Sequence, residues 1–340
     1  MKKATLTKSI AILTSLFLIA GCASGNDRSS ENTEVSENLI SSDVEITSAA
    51  EPATVEDAEV AETSEYVFID ALGREVTVSS TENVAVLIGS FCDMWTLAGG
   101  EVSGAVSDAF KSYNLAEGTA DLGKMLEPNV EALIALQPDF VIASAGTDAQ
   151  VELLDTFETA GLNVAYFEVS NFDDYLGVLD ILTDITGRKD LFDLYGTQIA
   201  GQIDDIKAAV PDTNPTVLFI RAAASSVKAK GSEGTVGGEI LADLGCINIA
   251  DSDSAILDDL SLEAIVAADP DYIFVTTQGE DKEAALANVE DLLINNPAWA
   301  QLSAVQNGHY YVLEKELYNS KPNARWAEAY QKLYDILYGE

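Results

Sequence analysis

Residues 129–143 read NVEALIALQPDFVIA, and residues 261–275 read SLEAIVAADPDYIFV. The two stretches are one phrase repeated at an offset of 132 residues (261 minus 129). Glu131 matches Glu263, Ala132 matches Ala264, Ala135 matches Ala267, Pro138 matches Pro270 and Asp139 matches Asp271. Each copy predicts a short helix with an acid in its first turn, a stop at Pro-Asp, and then a run of β-branched and aromatic residues. Such a run is the pattern of a strand buried on both faces of a parallel sheet. A period this long does not fit a solenoid. It fits two similar α/β lobes with one copy each, and two lobes imply a ligand cleft between them.

The chain around the first copy alternates strands and helices. Tyr66–Asp70 and Glu75–Val78 predict strands about a turn, and Val84–Ile88 a buried strand running into a helix that stops at Gly99-Gly100. Val102–Val106, the repeat strand and Asn163–Phe167 complete the set, with a helix over Asp148–Ala160. Alternation at this spacing means a mostly parallel central sheet covered by helices. Ligands of such sheets collect at the carboxyl ends of the strands. That rule nominates Phe91, Trp95, Asp108 and Tyr113 for the cleft, with core packing as the alternative for Trp95.

Phe172–Thr186 predicts one helix and Arg188–Val210 a longer one. Its Leu191, Tyr195, Ile199, Ile203, Ile206 and Val210 form a single apolar stripe. At 1.5 Å per residue the longer helix spans about 33 Å, roughly the width of a lobe. A bridge of this kind resists wide hinge motion and leaves modest closure on a ligand. The second lobe then follows. Its predicted strands are Thr216–Ile220, Ile247–Ala250, the second repeat strand and His309–Leu313; its helices are Ala284–Asn295 and Ala324–Tyr338. The chain thus divides into 66–171, a connector at 172–211, and 212–340.

Charge decides which ligands are admissible. The net charge is −39, which excludes nucleic acid, whose phosphates require basic surface. Fifteen Lys and Arg remain once Lys2, Lys3 and Lys8 are set aside from the total of 18. Five of them, Arg221, Lys228, Lys230, Lys321 and Arg325, fall in two short segments at element ends. In so acidic a chain a local basic cluster nominates an anion site. Tyr318 and the neighbouring Lys321 open the terminal helix and belong to the same group. The alternative is that these bases pair with nearby acids.

The N-terminus reads as an address. Lys2, Lys3 and Lys8 precede an apolar run, Ile10–Ala20, too short for a comfortable membrane span and right for a signal peptide over residues 1–21. It closes on Leu18-Ile19-Ala20-Gly21-Cys22, the pattern of a lipobox that would lipidate Cys22. Residues 22–65 are rich in Ser, Thr, Ala and Glu and carry no aromatic residue. Such a segment cannot bury enough surface to fold and predicts a disordered tether with a reach of about 35–40 Å. A leash of this kind suits a monomer held at the outer face of a cell membrane, in a Gram-positive-type envelope.

Other motifs carry little. Gly118–Met125 has the spacing of a phosphate loop, but Met125 stands where Ser or Thr would hold magnesium. No G-x-S-x-G elbow is present. His309 is the single histidine, so a transition-metal site built from several His or Cys is excluded. Cys92 and Cys246 read as buried free thiols. An extracellular enzyme or sensor on the same scaffold would need a nucleophile–base pair or a histidine cluster, and neither is visible.

Taken together, several stretches resemble one family. They are the lipobox, Asp70-Ala71-Leu72-Gly73-Arg74-Glu75-Val76, Glu127-Pro128-Asn129-Val130-Glu131-Ala132 with its Pro-Asp strand, Ser261-Leu262-Glu263 with its own, and Asn307-Gly308-His309-Tyr310-Tyr311-Val312. Their order resembles the substrate-binding lipoproteins of ABC importers for iron chelates and cobalamin. The resemblance implies two α/β lobes joined by one long helix, a metal chelate held between them, and no catalysis. A ferric siderophore is the implied cargo, with haem or cobalamin as alternatives and no resident cofactor. It also implies that Glu131 and Glu263 dock onto a membrane permease dimer driven by a cytoplasmic ATPase. Ligand contacts vary with cargo in this family. Arg221, Lys228, Lys230, Lys321 and Arg325, with Phe91, Trp95, Asp108 and Tyr318, supply the matching chemistry.

Overall fold

The computed structural model describes residues 65–339. The signal peptide, Cys22 and almost all of the tether lie outside the described residues.

An antiparallel hairpin opens the fold: β1 (Tyr66–Ile69) pairs with β2 (Glu75–Val78). The first lobe is then built on β3 (Val84–Val86), helix α1 (Gly89–Leu97), β4 (Gly104–Ala105), β5 (Ala120–Asp121), helix α2 (Val130–Leu136), β6 (Phe140–Ser144) and β7 (Val164–Phe167). Its sheet has five strands in the order β5-β4-β3-β6-β7, every pair parallel. β3, β6 and β7 are buried along their whole length, as their uninterrupted apolar sequences require.

Helix α3 (Phe172–Thr186) leaves this lobe with a reciprocal cap between Asn171 and Asp174. The connector runs from Lys189 to Ala208, ending in α4 (Gln198–Ala208). It is not uniformly α-helical: Asp193–Thr197 is a π-helical turn. Gly196 in that turn faces Leu176 of α3, where a Cβ would come within 3.2 Å, so the distortion lets the two helices approach closely.

The second lobe holds β8 (Thr216–Ala223), β9 (Ser226–Lys230), helix α5 (Val236–Asp243), β10 (Ile247–Asn248), helix α6 (Leu262–Ala268), β11 (Tyr272–Thr277) and β12 (Tyr310–Val312). The sheet runs β9-β8-β11-β12 with β10 added beside β8. Only β9 is antiparallel to its neighbour. The terminal helix α7 (Trp326–Tyr338) returns to cover both lobes. Its Trp326 meets Phe172 and Tyr175 of α3 at 5.7 and 6.2 Å between ring centroids. One hydrophobic core therefore runs from the first lobe through α7 to Val217, Phe219 and Phe274 of the second, while a smaller core fills the outer side of the second lobe.

The repeated phrase has the same structure twice. Asn129 and Ser261 cap α2 and α6 by accepting from the amides of Ala132 and Ala264. Gln137 and Asp269 close the helices in the left-handed region, at φ 52° and 42°. Asp139 then accepts from the Asn83 amide at 3.0 Å, and Asp271 from the Thr216 amide at 2.8 Å. Each aspartate thus ties down the start of the adjacent strand, β3 or β8.

Several predicted boundaries change. Ile247–Ala250 shortens to two strand residues followed by a 3-10 turn at Ile249–Ser252. Asp148–Ala160 breaks into Asp148–Val151 and Leu154–Thr159, and the predicted helix from Ala284 ends in a π-helical turn at Glu290–Ile294. β8 extends past Ile220 to Ala223 because β9 folds back on it as a hairpin.

Candidate functional site

A cavity of about 170 Å³ lies where the carboxyl edges of the two sheets meet. The first lobe contributes Gly146, just past β6, and Glu168–Ser170, just past β7. The second contributes Arg221 on β8, Thr276 on β11, Thr235 at the start of α5, and Tyr318 and Lys321 ahead of α7.

The strand register explains the chemistry of one wall. Arg221 pairs across β8 and β9 with Lys228, and across β8 and β11 with Thr276. Register partners project to the same face of a sheet, so Lys228, Arg221 and Thr276 form a row across three strands. Phe219, two residues before Arg221 and on the same face, pairs with Lys230. Three cations thus share one sheet face. Arg221, Lys228, Lys230 and Lys321 make no ion pair within 4.0 Å among the described residues. Burial lowers the pKa of Arg221, and burial followed by repulsion from Arg221 and Lys228 lowers that of Lys230. Burial also lowers the pKa of Lys321, with Glu168 acting weakly against it. Lys321 further places its ammonium 5.6 Å from the centroid of the Phe91 ring. Concentrated, partly desolvated positive charge without a partner is stabilised by an incoming anion.

Five other nominated residues fall outside the cavity lining. Trp95 is 0% exposed, donates from Nε1 to the Glu101 carbonyl at 2.9 Å and packs edge-on to Phe140. It belongs to the core, as its helical spacing allowed. Phe91 is also fully buried, against Phe167, and backs the cavity through Lys321 instead of lining it. Arg325 is a surface residue engaged by Glu328 at 2.6 Å and Glu314 at 3.4 Å. Local acids claim it because the 3-10 turn at Asn323–Arg325 turns it away from the cavity. Asp108 begins the short helix Ala109–Ser112 and is half-buried, so its pKa is raised by burial. It stands outside the cavity lining, near Glu280 and Lys315 of the other lobe, where Lys111 bridges to Glu280 at 3.2 Å. Tyr113 is half-buried beside Asp108 and is likewise outside the lining.

His309 sits at the opposite edge. It precedes β12, stacks on Tyr272 at 4.4 Å and places Nδ1 3.0 Å from the Asp271 carbonyl oxygen. These residues mark the amino ends of β11 and β12, so the imidazole cannot reach the cavity. Gly118–Met125 carries two short strands, and Lys124 ends the second of them instead of opening a helix, which removes the phosphate-loop geometry. Cys92 and Cys246 are both free thiols. A larger open groove of about 540 Å³ lies between α4 and α7, lined by Asp205, Glu328, Gln331 and Tyr334 among others. No Lys or Arg among the described residues lines it, so it lacks the positive charge of the strand-end cavity.

The family model described as periplasmic binding protein matches residues 84–317. The chain belongs to the periplasmic binding protein family. Among relatives of this family, the Fe(3+)-citrate-binding protein YfmC of Bacillus subtilis is 28% identical over 262 residues, 74% of this chain and 78% of that protein. The solved structure of the triscatecholate siderophore binding protein FeuA from Bacillus subtilis, complexed with ferri-bacillibactin, matches with a TM-score of 0.63 at 22% identity, over 80% of this chain and 98% of that one. The heme complex of Staphylococcus aureus IsdE matches with a TM-score of 0.62 at 17% identity, over 75% and 98%. The structural likenesses are of fold, the two-lobe architecture of these binding proteins.

Within that family architecture, Glu131 and Glu263 occupy matched positions. Both are exposed in the first turns of α2 and α6, and neither lies at the cavity. Thr235, Thr276, Glu168 and Asn319 line the cavity without having been nominated from sequence. Thr276 was legible in principle, because the repeat strand places it near the carboxyl end of β11. Thr235 became visible only through the fold, at the mouth of α5.

Proposed function

We propose that this chain is the extracytoplasmic receptor of an ABC importer, capturing an anionic ferric chelate between its lobes. The observation that carries the reading is a group of cations without an ion pair among the described residues: Arg221 and Lys321 line one interlobe cavity, and Lys228 and Lys230 lie outside its lining on the sheet face of Arg221, in a chain of net charge −39. In such a chain, carboxylates are abundant near almost any surface cation. Cations left unpaired at a cleft are held for a partner that comes from outside. The names of the iron-binding relatives agree with this reading.

The cargo binds, the lobes tighten, and no bond is made or broken. The lobes are 66–171 and 212–340, bridged by 172–211. The core shared through α7 favours small closing movements over a wide hinge. Glu131 and Glu263 present one carboxylate per lobe to a two-subunit permease, whose ATPase drives release. Cys22 carries the lipid that holds the monomer at the outer membrane face, on the tether before residue 66. Haem and cobalamin are the other cargoes of this receptor type. No His, Met or Cys lines the cavity among the described residues, so an axial side-chain ligand of those kinds is missing, which favours a self-contained chelate.

The test is transport. Cells carrying Glu131→Ala with Glu263→Ala should bind a ferric chelate normally and fail to import it. Loss of binding in the purified variant would instead place the two glutamates in the site or the fold.

A further inference from the structure

Two buried hydroxyls in the second lobe have no hydrogen-bond partner among the described residues. They are Thr276 Oγ1 and Thr235 Oγ1, and both residues line the interlobe cavity. Thr276 is 0% exposed. Buried polar atoms are nearly always paired, and an orphan calls for a physical reason. These two residues line the same cavity, and one of them stands at a helix start.

That end belongs to α5, eight residues long. Thr235 occupies its cap position, yet its side chain makes no capping bond. The first-turn amides of Val236, Gly237 and Gly238 have no acceptor among the described residues. Free amides at a helix start favour an anion. Glycine brings this end close to the sheet. A Cβ at Gly237 would run into the Phe219 ring, and one at Gly238 into the Gly231 carbonyl. Glu239 is turned away, accepting from the Gly234 amide at 3.0 Å. Opposite the helix end, Arg221 stands in register with Thr276 on the neighbouring strand.

We infer that Thr235, Thr276, the start of α5 and Arg221 form an oxyanion subsite that receives one carboxylate of the cargo. The inference rests on the proposed capture of a ferric chelate and narrows it to chelates carrying a free or iron-bound carboxylate. Hydroxyls and amides donate along fixed directions, whereas the flexible lysines Lys228 and Lys321 supply charge with little geometric demand. The subsite therefore supplies discrimination, and the lysines supply attraction. A phosphate group offers similar oxygens, so the source of the oxyanion has to be separated experimentally.

The experiment is calorimetric titration of the protein with ferric citrate, with an iron(III) tris-catecholate that carries no carboxylate, and with inorganic phosphate. It is run on the wild type, Thr276→Val and Thr276→Ser. Valine keeps the shape and removes the donor; serine restores the donor and controls for packing. The expected result is a loss of about tenfold or more in ferric citrate affinity for Thr276→Val. Thr276→Ser should stay near wild type, and the tris-catecholate should change by less than about twofold in either variant. Equal losses for both chelates, or no loss for either, would overturn the subsite. Tight phosphate binding that Thr276→Val abolishes, with ferric citrate unaffected, would overturn the carboxylate assignment. If the wild type binds no ferric chelate at all, the functional reading fails first. A normal wild type with an unaffected Thr276→Val removes the subsite alone.

Discussion

Asn323 reaches across the molecule to Asp93. Its Nδ2 donates to the Asp93 carboxylate at 2.8 Å and to the Ser90 carbonyl at 2.8 Å, joining the segment before α7 to the first-lobe helix α1. Asn323 is fully buried and holds a left-handed backbone at φ 52°. That conformation suits Asn better than most residues. The strap lies two residues after Lys321, so it ties the segment that carries one cavity cation to the first lobe.

Burial raises the pKa of Asp93, and the bond from Asn323 only partly opposes the shift. A carboxyl whose folded pKa is raised binds its proton more tightly in the fold. Its ionisation therefore costs stability, increasingly as pH rises from its unfolded value through its folded one. Asp93→Asn keeps an acceptor and removes the charge. It should raise the melting temperature at pH 7 and change it little at pH 4, as scanning calorimetry at the two pH values can show. An equal gain at both would mean that charge burial is not the cause.

Arg221→Ala should weaken binding of an anionic chelate by about 1–3 kcal/mol, the range for a charged hydrogen bond. Arg325→Ala is the matched control. Its guanidinium is already engaged by Glu314 and Glu328 on the surface, so affinity should hold and stability should fall by no more than about 1 kcal/mol. Calorimetric titration of both variants with one ferric chelate makes the comparison, and the reverse ranking would move the site away from β8.

Affinity should also depend on pH through Lys321. Its pKa is lowered by burial, and a bound anion would raise it again. Anion binding is then strongest while the free amine is protonated and weakens as pH rises through its lowered pKa. Replacing it by methionine should reduce affinity at pH 7 and flatten the alkaline limb of the profile. An unchanged limb in Lys321→Met would assign the titration to another group.

Trp95 belongs to the interior, and its replacement should be read as a folding defect. Trp95→Ala should cost about 3–5 kcal/mol. Gly100→Ala should also destabilise the first lobe, because a Cβ there would overlap the Trp95 ring. Denaturant unfolding measures both. A Trp95→Phe protein that folds stably and loses only ligand affinity would contradict the core assignment.

The fold was legible because the phrase at 129–143 and 261–275 carries its own caps, stops and buried strands, all local signals. The site was legible in part. Arg221 could be placed because a strand end has a direction, and Lys321 because an acidic chain makes isolated cations conspicuous. Arg325 misled because Glu314 and Glu328 are brought to it by folding, one of them 11 residues away. Trp95 misled because a helix at a strand's carboxyl end has one face toward the cleft and one toward the core, and its spacing fits either. Thr235 gave no sequence signal and Thr276 only its place near a strand end, since what distinguishes both is a buried hydroxyl without a hydrogen-bond partner among the described residues.

Titration of the intrinsic tryptophan fluorescence with a ferric chelate, in the wild type and in Arg221→Ala with Lys321→Ala, tests the central claim most directly. The expected result is saturable one-to-one quenching by the ferric chelate, weaker binding of the iron-free chelator, and affinity lost by at least about a hundredfold in the double variant, from two charged contacts. Binding of equal strength in the two proteins, or no saturable binding by the wild type, would contradict it.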